Sequence, residues 1–222
     1  MKRADIKVVF FDAYGVLIGV EDSRHALANY LDLPYEQVKE AGQRSLARPG
    51  IPSWTSVNSR AKEVAFSHAA SEALLRELGL EVGTVQIEKV SSFYLARQHH
   101  ALEGVMEALE YLASNYRLGL ISNSAPSMRN SVLPETGLLK YLDPIVISGE
   151  VGVRKPDPEI YLIALKSAKV DAEEAAFIDD VEQFLDVARQ IGFGLPILLD
   201  EVGDSSGEFQ TITKLTELKK IL

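Results

Sequence analysis

The chain has 222 residues, 46% apolar and 25% charged, the balance of a globular protein with length for one large domain or one domain carrying a substantial insertion. Its formal net charge of −9, with no basic run interleaved with aromatics, argues against a nucleic-acid surface and against binding to an anionic membrane. The absence of cysteine excludes disulfides, thiolate catalysis and cysteine-based zinc or iron–sulfur sites.

Met1-Lys2-Arg3 could open a signal peptide, but Asp5, Lys7 and Asp12 interrupt the apolar core that such a peptide needs. No apolar run reaches the length of a membrane span, so the expectation is a soluble, cytoplasmic protein. Val8-Val9-Phe10-Phe11 reads as a buried strand of a parallel sheet, because four apolar residues of β-branched and aromatic type follow one another. Asp12 ends that strand, and Gly15 follows closely. Open α/β sheets bind ligands outside the carboxyl ends of their strands. A carboxylate there is a catalytic group or a metal ligand, since burying it unpaired is costly; the plainer alternative is a turn or capping aspartate.

Beyond Leu17 the pattern turns helical. Asp22 or Ser23 caps a helix through Leu31, and Pro34 starts a second towards Leu46. Turn residues in Arg48-Pro49-Gly50-Ile51-Pro52-Ser53 separate it from a third, whose apolar face is expected from Ala61, Val64, Ala65, Ala69, Leu75 and Leu78, with Gly79 as terminator. A fourth helix is expected from Thr84 to His99, with no strand signal anywhere in this region. Alternation then begins. A helix marked by Val105, Leu109 and Leu112 precedes a strand Leu118–Ile121 that ends in Ser122-Asn123-Ser124. Short helical pieces broken by Pro134 and Gly137 lead to a strand Pro144–Ser148. Helix Asp157–Ala168, strand Ala175–Ile178, helix Val181–Ile191, strand Gly194–Leu199 and a closing helix Ile212–Leu222 complete the chain. Strands separated by helices imply a parallel sheet with right-handed crossovers. The expected fold is α/β: a doubly wound core of residues 1–18 and 101–222, with an all-helical insertion, 19–100, after the first strand. Following Asp12 so closely, the insertion is expected to act as a lid over the strand ends.

Four polar clusters fall at strand ends or helix starts: Asp12 with Tyr14, Ser122-Asn123, Lys155-Pro156-Asp157, and Asp179-Asp180. Each alone has a structural explanation as a cap, a surface lysine or a turn. Together, at equivalent ends of one alternating pattern, they indicate a site.

The set resembles the four motifs of the haloacid dehalogenase superfamily, in order and spacing: Asp12; Ser122; Lys155 within Val153-Arg154-Lys155-Pro156-Asp157-Pro158; and Asp179-Asp180 within Phe177-Ile178-Asp179-Asp180. The resemblance covers the whole core and implies a Rossmann-like sheet, with the insertion as a helical cap. It further implies Asp12 as a nucleophile that forms a covalent intermediate. Mg²⁺ would be bound by Asp12, Asp180 and the main-chain carbonyl of Tyr14, with Asp179 helping through water or by orienting Lys155. Ser122, Asn123 and Lys155 would hold the transferring group of a small phosphorylated substrate.

Tyr14 departs from the family's phosphatases, which carry there an aspartate that protonates the leaving group and then activates water. A phenol, with an ordinary pKa near 10, is a poor base at neutral pH, and losing such a group typically costs about 10²–10⁴ in rate. The family's 2-haloacid dehalogenases do have the pattern Asp12-Ala13-Tyr14-Gly15, together with Ser122-Asn123, Lys155 and Tyr161. Their threonine after the glycine is Val16 here, and they lack the acidic pair. Displacing halide from carbon needs no metal, so Asp179-Asp180 directs the expectation to a Mg²⁺-dependent phosphate-ester hydrolase. A metal-independent dehalogenase-like hydrolase and a catalytically impaired phosphate- and metal-binding regulatory protein are the alternatives. Arg44, Arg48 and Arg60 are candidates for the dehalogenases' substrate-clamping arginine. His99-His100 reads as a solvated hinge, His68 as a half-buried helix residue, Trp54 as part of a lid loop, and Glu201–Glu208 as an exposed connection.

Overall fold

Val8–Phe11 forms strand β1, and all four of its side chains are fully buried, each apolar one contributing roughly 1.5–3 kcal/mol. In the computed structural model, which describes residues 5–51, 56–203 and 205–222, this strand lies inside a six-stranded sheet. The other strands are β4 (Arg117–Ser122), β5 (Leu142–Ile147), β6 (Ala175–Asp179), β7 (Leu195–Leu199) and β8 (Gln210–Ile212), in the order β5-β4-β1-β6-β7-β8. Every neighbouring pair runs parallel. The chain passes from β1 outward through β4 and β5, then returns to β6 on the other flank. The strand order therefore reverses around β1, the point where open α/β sheets form their ligand crevice.

Side chains alternate along β1. Val8 and Phe10 join a core with Ile160 and Ala164 of α8 (Pro158–Ala168) and Leu185 of α9 (Glu182–Ile191). Val9 and Phe11 join another with Leu109 of α5 (Val105–Leu112) and Leu218 of α10 (Leu218–Ile221). Both faces of the sheet are covered, as the continuous apolar run requires. Gly119 of β4 lets Phe10 approach, since a Cβ there would lie 2.5 Å from the Phe10 ring.

Several expected elements take a different form. The closing segment is not one helix from Ile212: Gln210–Ile212 pairs with β7 as the edge strand, and helix resumes only at Leu215. The β-branched run Thr211-Ile212-Thr213 favours that pairing. The fourth helix, α4 (Thr84–Leu95), stops before His99, which opens strand β3 (His99–Ala101), paired with β2 (Ile18–Val20). A π-helical turn Met128–Val132 and the short helix α6 (Leu133–Glu135) connect β4 towards β5, and Ser148 begins α7 (Ser148–Val151) rather than ending a strand.

The chain divides into two compact units, Met1–Gly19 with His99–Leu222, and Val20–Gln98. The second is helical: α1 (Arg24–Leu31), α2 (Tyr35–Leu46), α3 (Arg60–Glu77) and α4 surround a core of Leu27, Val38, Ala41, Leu74, Leu75 and Val90. The buried residues of α3 are Ser67, Ala70, Ser71, Ala73, Leu74 and Leu75, while Ala61 and Ala65 are exposed. Small hydroxyls lie where α3 meets α4: Ser67 Oγ and Ser91 Oγ share a hydrogen bond of 2.7 Å. Pro52, Ser53 and Trp54 lie outside the described residues.

Candidate active site

Strand register brings the polar residues of the core together. Phe11 pairs with Leu120 and with Ile178, so Asp12 stands beside Asp179, and Ser122 ends the strand on the other flank. The Asp12 N–H donates to the Ile178 carbonyl at 2.9 Å, continuing the ladder into the site. Lys155 enters from the segment between α7 and α8. Its Nζ lies 2.7 Å from Asp12 Oδ1 and 2.6 Å from Asp179 Oδ2, and the residue is 1% exposed. The rings of Phe177 and Phe184 flank the ammonium at 5.3 and 4.8 Å. Asn123 holds the lysine's main chain: its amide donates to the Lys155 carbonyl and accepts the Lys155 N–H, both at 2.8 Å. Ser122 is buried beside it at the end of β4. Tyr161 is fully buried, and its hydroxyl donates to the Phe184 carbonyl at 2.9 Å, so it braces the ring over Lys155.

Ligand oxygens of Asp12, Asp179 and Asp180 lie within 4.8 Å of one another. Three carboxylates against one ammonium leave a formal charge of −2 when all are ionised. Burial pushes the Asp179 carboxyl well above the usual carboxylate range, with Lys155 pulling it down and Asp12 pushing it back up. Burial and the Asp12 charge likewise raise Asp180. For Lys155 burial opposes the charged form, but Asp12 and Asp179 outweigh it and hold the ammonium above its usual value. The donor set is entirely oxygen and anionic, the chemistry that suits a hard divalent cation.

Gly15 belongs to this arrangement. Its φ is +82°, and a Cβ there would overlap the Asp180 carboxylate. The preceding Tyr14 is half-buried, with its hydroxyl 3.5 Å from His99 Nε2. His99 Nδ1 in turn lies 3.3 Å from Glu135 Oε2, and the His99 N–H donates to the other oxygen of that carboxylate at 3.4 Å. The imidazole is 13% exposed, so the expectation of a solvated hinge does not describe it. Neither His99 nor Glu135 carries a motif. The sequence signal that leads to them is Tyr14, whose hydroxyl meets the imidazole.

The arginines considered for a clamp are engaged within the helical unit. Arg44 and Arg48 both pair with Glu77, and Arg60 pairs with Glu63 at 3.0 Å. His68 is half-buried on α3. At the head of the Glu201–Glu208 loop, Asp200 accepts the N–H groups of Val202, Gly203 and Ser205. Among the described residues, no helix is long and apolar enough to cross a membrane.

The family model for haloacid dehalogenase-like hydrolases matches residues 6–192. A phosphoserine phosphatase of Thermus thermophilus is 35% identical over 100 residues, which are 43% of this chain and 39% of that protein. A pyrimidine 5'-nucleotidase of Escherichia coli is 26% identical over 221 residues, 96% of each chain. In fold, the chain is similar to the L-2-haloacid dehalogenase of Xanthobacter autotrophicus solved with chloropropionic acid covalently bound. That likeness has a TM-score of 0.71 at 18% identity and covers 97% of this chain and 98% of the other.

Proposed function

Since the chain belongs to the haloacid dehalogenase-like hydrolases, we propose that it hydrolyses a small phosphate ester, with Asp12 as nucleophile and Mg²⁺ as cofactor. The observation that carries this reading is the crowding of Asp12, Asp179 and Asp180 around a single buried lysine. A divalent cation would cancel the excess charge, and carboxylates with a main-chain carbonyl are the ligands Mg²⁺ takes. Asp12, Asp180 and the Tyr14 carbonyl would hold it, and Asp179 would orient Lys155. When bound, the ion neutralises phosphate charge as an anionic nucleophile approaches.

The chain's own residues then divide the work. An Asp12 oxygen attacks phosphorus, the bond to the leaving oxygen breaks, and an aspartyl phosphate forms. Water attacks the same phosphorus and releases Asp12 as carboxylate. Lys155, gripped by two carboxylates and two rings, fixes the direction of the Asp12 carboxylate. Ser122 is assigned to the phosphoryl oxygens. Asn123 is assigned a positioning role, because both ends of its amide are committed to the Lys155 main chain. In this reading the chemistry belongs to residues 1–18 and 101–222, and 19–100 is the family's helical cap.

A second reading, halide displacement from a 2-haloacid, is favoured by one observation, the tyrosine of Asp12-Ala13-Tyr14-Gly15. The test is phosphate release from p-nitrophenyl phosphate, whose leaving group needs little protonation. Turnover that requires Mg²⁺ and disappears in Asp12→Asn is the expected result. No phosphate release, with halide released from a 2-haloacid in the presence of a chelator, would replace the first reading by the second.

A further inference from the structure

Phosphate-ester hydrolysis through an aspartyl phosphate needs a proton for the departing alcohol and a base for the incoming water. No carboxylate stands two residues beyond Asp12 to provide either. We propose that Tyr14, His99 and Glu135 form a proton line that does this work, with Tyr14 meeting the leaving group and water, His99 as its proton partner and Glu135 holding the imidazole. The proposal rests on the phosphatase reading above and adds residues that the reading alone leaves unassigned.

The three groups come from separate elements of one compact unit: the turn after β1, strand β3 and helix α6. Their order is fixed by donor and acceptor chemistry. An ionised carboxylate only accepts, so the ring nitrogen facing Glu135, Nδ1, carries the hydrogen. In the neutral ring Nε2 is then an acceptor and the Tyr14 O–H donates to it, whereas in the charged ring Nε2–H donates to the Tyr14 oxygen. This is the hydroxyl–imidazole–carboxylate sequence by which a weakly acidic hydroxyl gains a proton partner. Glu135 grips the histidine twice, at the ring and at its main-chain N–H, which fixes the imidazole's rotation. The distances of 3.5 and 3.3 Å stand at the outer limit of hydrogen bonding. Such lines shorten when substrate closes on them.

The protons balance over a turnover. As the Asp12 oxygen bonds to phosphorus and the ester bond breaks, the departing oxygen takes the Tyr14 hydroxyl proton. Protonated His99 restores that proton from Nε2. As water attacks the aspartyl phosphate and the bond to Asp12 breaks, the water proton goes to the Tyr14 oxygen and the Tyr14 proton passes to Nε2. His99 is then charged for the next cycle, and nothing beyond water and ester is consumed. Tyr14 is the catalytic group of the line; His99 and Glu135 act through it.

The test compares an aryl ester, p-nitrophenyl phosphate, with a simple alkyl ester, ethyl phosphate, in wild type, Tyr14→Phe, His99→Gln and Glu135→Gln, all with Mg²⁺. The kcat/KM reports events through departure of the alcohol, where only the alkyl oxygen needs a strong proton donor. The alkyl-to-aryl ratio of kcat/KM should fall by about 10² or more in Tyr14→Phe and His99→Gln, and by about tenfold in Glu135→Gln. Both esters are measured on one preparation, so a partly misfolded variant leaves the ratio intact. Independently, ¹⁵N NMR of the wild-type imidazole should place the His99 hydrogen on Nδ1. An unmoved ratio in His99→Gln, or an Nδ1 that carries no hydrogen, overturns the proton line while aryl turnover through Asp12 keeps the phosphatase reading. Wild type inactive on both esters removes that reading and the proton line with it.

Discussion

Replacing Lys155 by methionine isolates the charge that organises the site. Methionine keeps the length of the side chain and packs well between the Phe177 and Phe184 rings, so little but the ammonium is lost. What remains is Asp179, fully buried, and Asp12, 9% exposed, with no cation at 2.6 or 2.7 Å. Removing one partner of a buried ion pair costs about 3–5 kcal/mol, because the other charge stays buried and uncompensated. For a chain of this size each kcal/mol lowers the melting temperature by about 2–4 °C, so the metal-free variant should melt roughly 6–20 °C below wild type at about pH 8.

The pH dependence has a definite sign. Asp179 and Asp180 are already raised above the carboxylate range in the wild-type fold. A carboxyl raised on folding binds its proton more tightly in the native state. Stability therefore falls as pH rises from the unfolded carboxyl value, near 4, through the folded one. Without the ammonium those folded values rise further, so the gap between variant and wild type should widen with pH and shrink at about pH 5. Added Mg²⁺ should narrow the gap at the higher pH by supplying the missing positive charge. The assay is thermal unfolding followed by circular dichroism at the two pH values, with and without Mg²⁺. A metal-free variant that melts within about 2 °C of wild type at both pH values would refute the electrostatic account.

Gly15→Ala forces a side chain into the Asp180 carboxylate at a φ of +82°; the left-handed backbone alone costs roughly 1–2 kcal/mol, and the rise in melting temperature on adding Mg²⁺ should vanish. A preserved Mg²⁺ shift in that variant would detach Asp180 from the metal. Asn123→Ala removes both 2.8 Å bonds to the Lys155 main chain, at a cost of about 1–3 kcal/mol. Steady-state kinetics should then show a fall in kcat with little change in KM, whereas a raised KM with kcat intact would make Asn123 a substrate contact.

How much of this was legible in the sequence depended on element length and on whether partners are near or far along the chain. β1 was readable because four apolar residues end abruptly in Asp12, and the later strand–helix alternation repeats that pattern. Strand ends of a parallel sheet converge, so the sequence alone groups Asp12, Ser122 and Asp179. Three-residue strands carry no measurable period, which hid β2, β3 and the edge strand β8. In α3, alanines at 61, 65, 69, 70 and 73 spread weak apolar character around the helix, and the buried face turned out to be marked by serines. Asn123 reads as a site residue from its position, yet its amide is spent on the Lys155 main chain. His99 could not be placed because its partners lie 85 and 36 residues away, in a turn and a short helix that only the fold brings together.

On the proposed phosphate-ester reading, charge weighs against carbon as the electrophile. A 2-haloacid is itself an anion, and a metal-free reaction would bring its carboxylate towards Asp12, Asp179 and Asp180, whose counter-charge among the described residues is Lys155. At 4 Å, two unit charges repel by about 4 kcal/mol at the effective dielectric of a protein surface, and more where burial is deeper. Under the proposed reading, a bound divalent cation would turn the same carboxylates from an obstacle into the reason an anion can enter. The proton problem that Tyr14 creates belongs to that same choice. Halide leaves carbon without a proton, whereas the departing oxygen of an alkyl phosphate requires one, which the proposed line through Tyr14, His99 and Glu135 would relay.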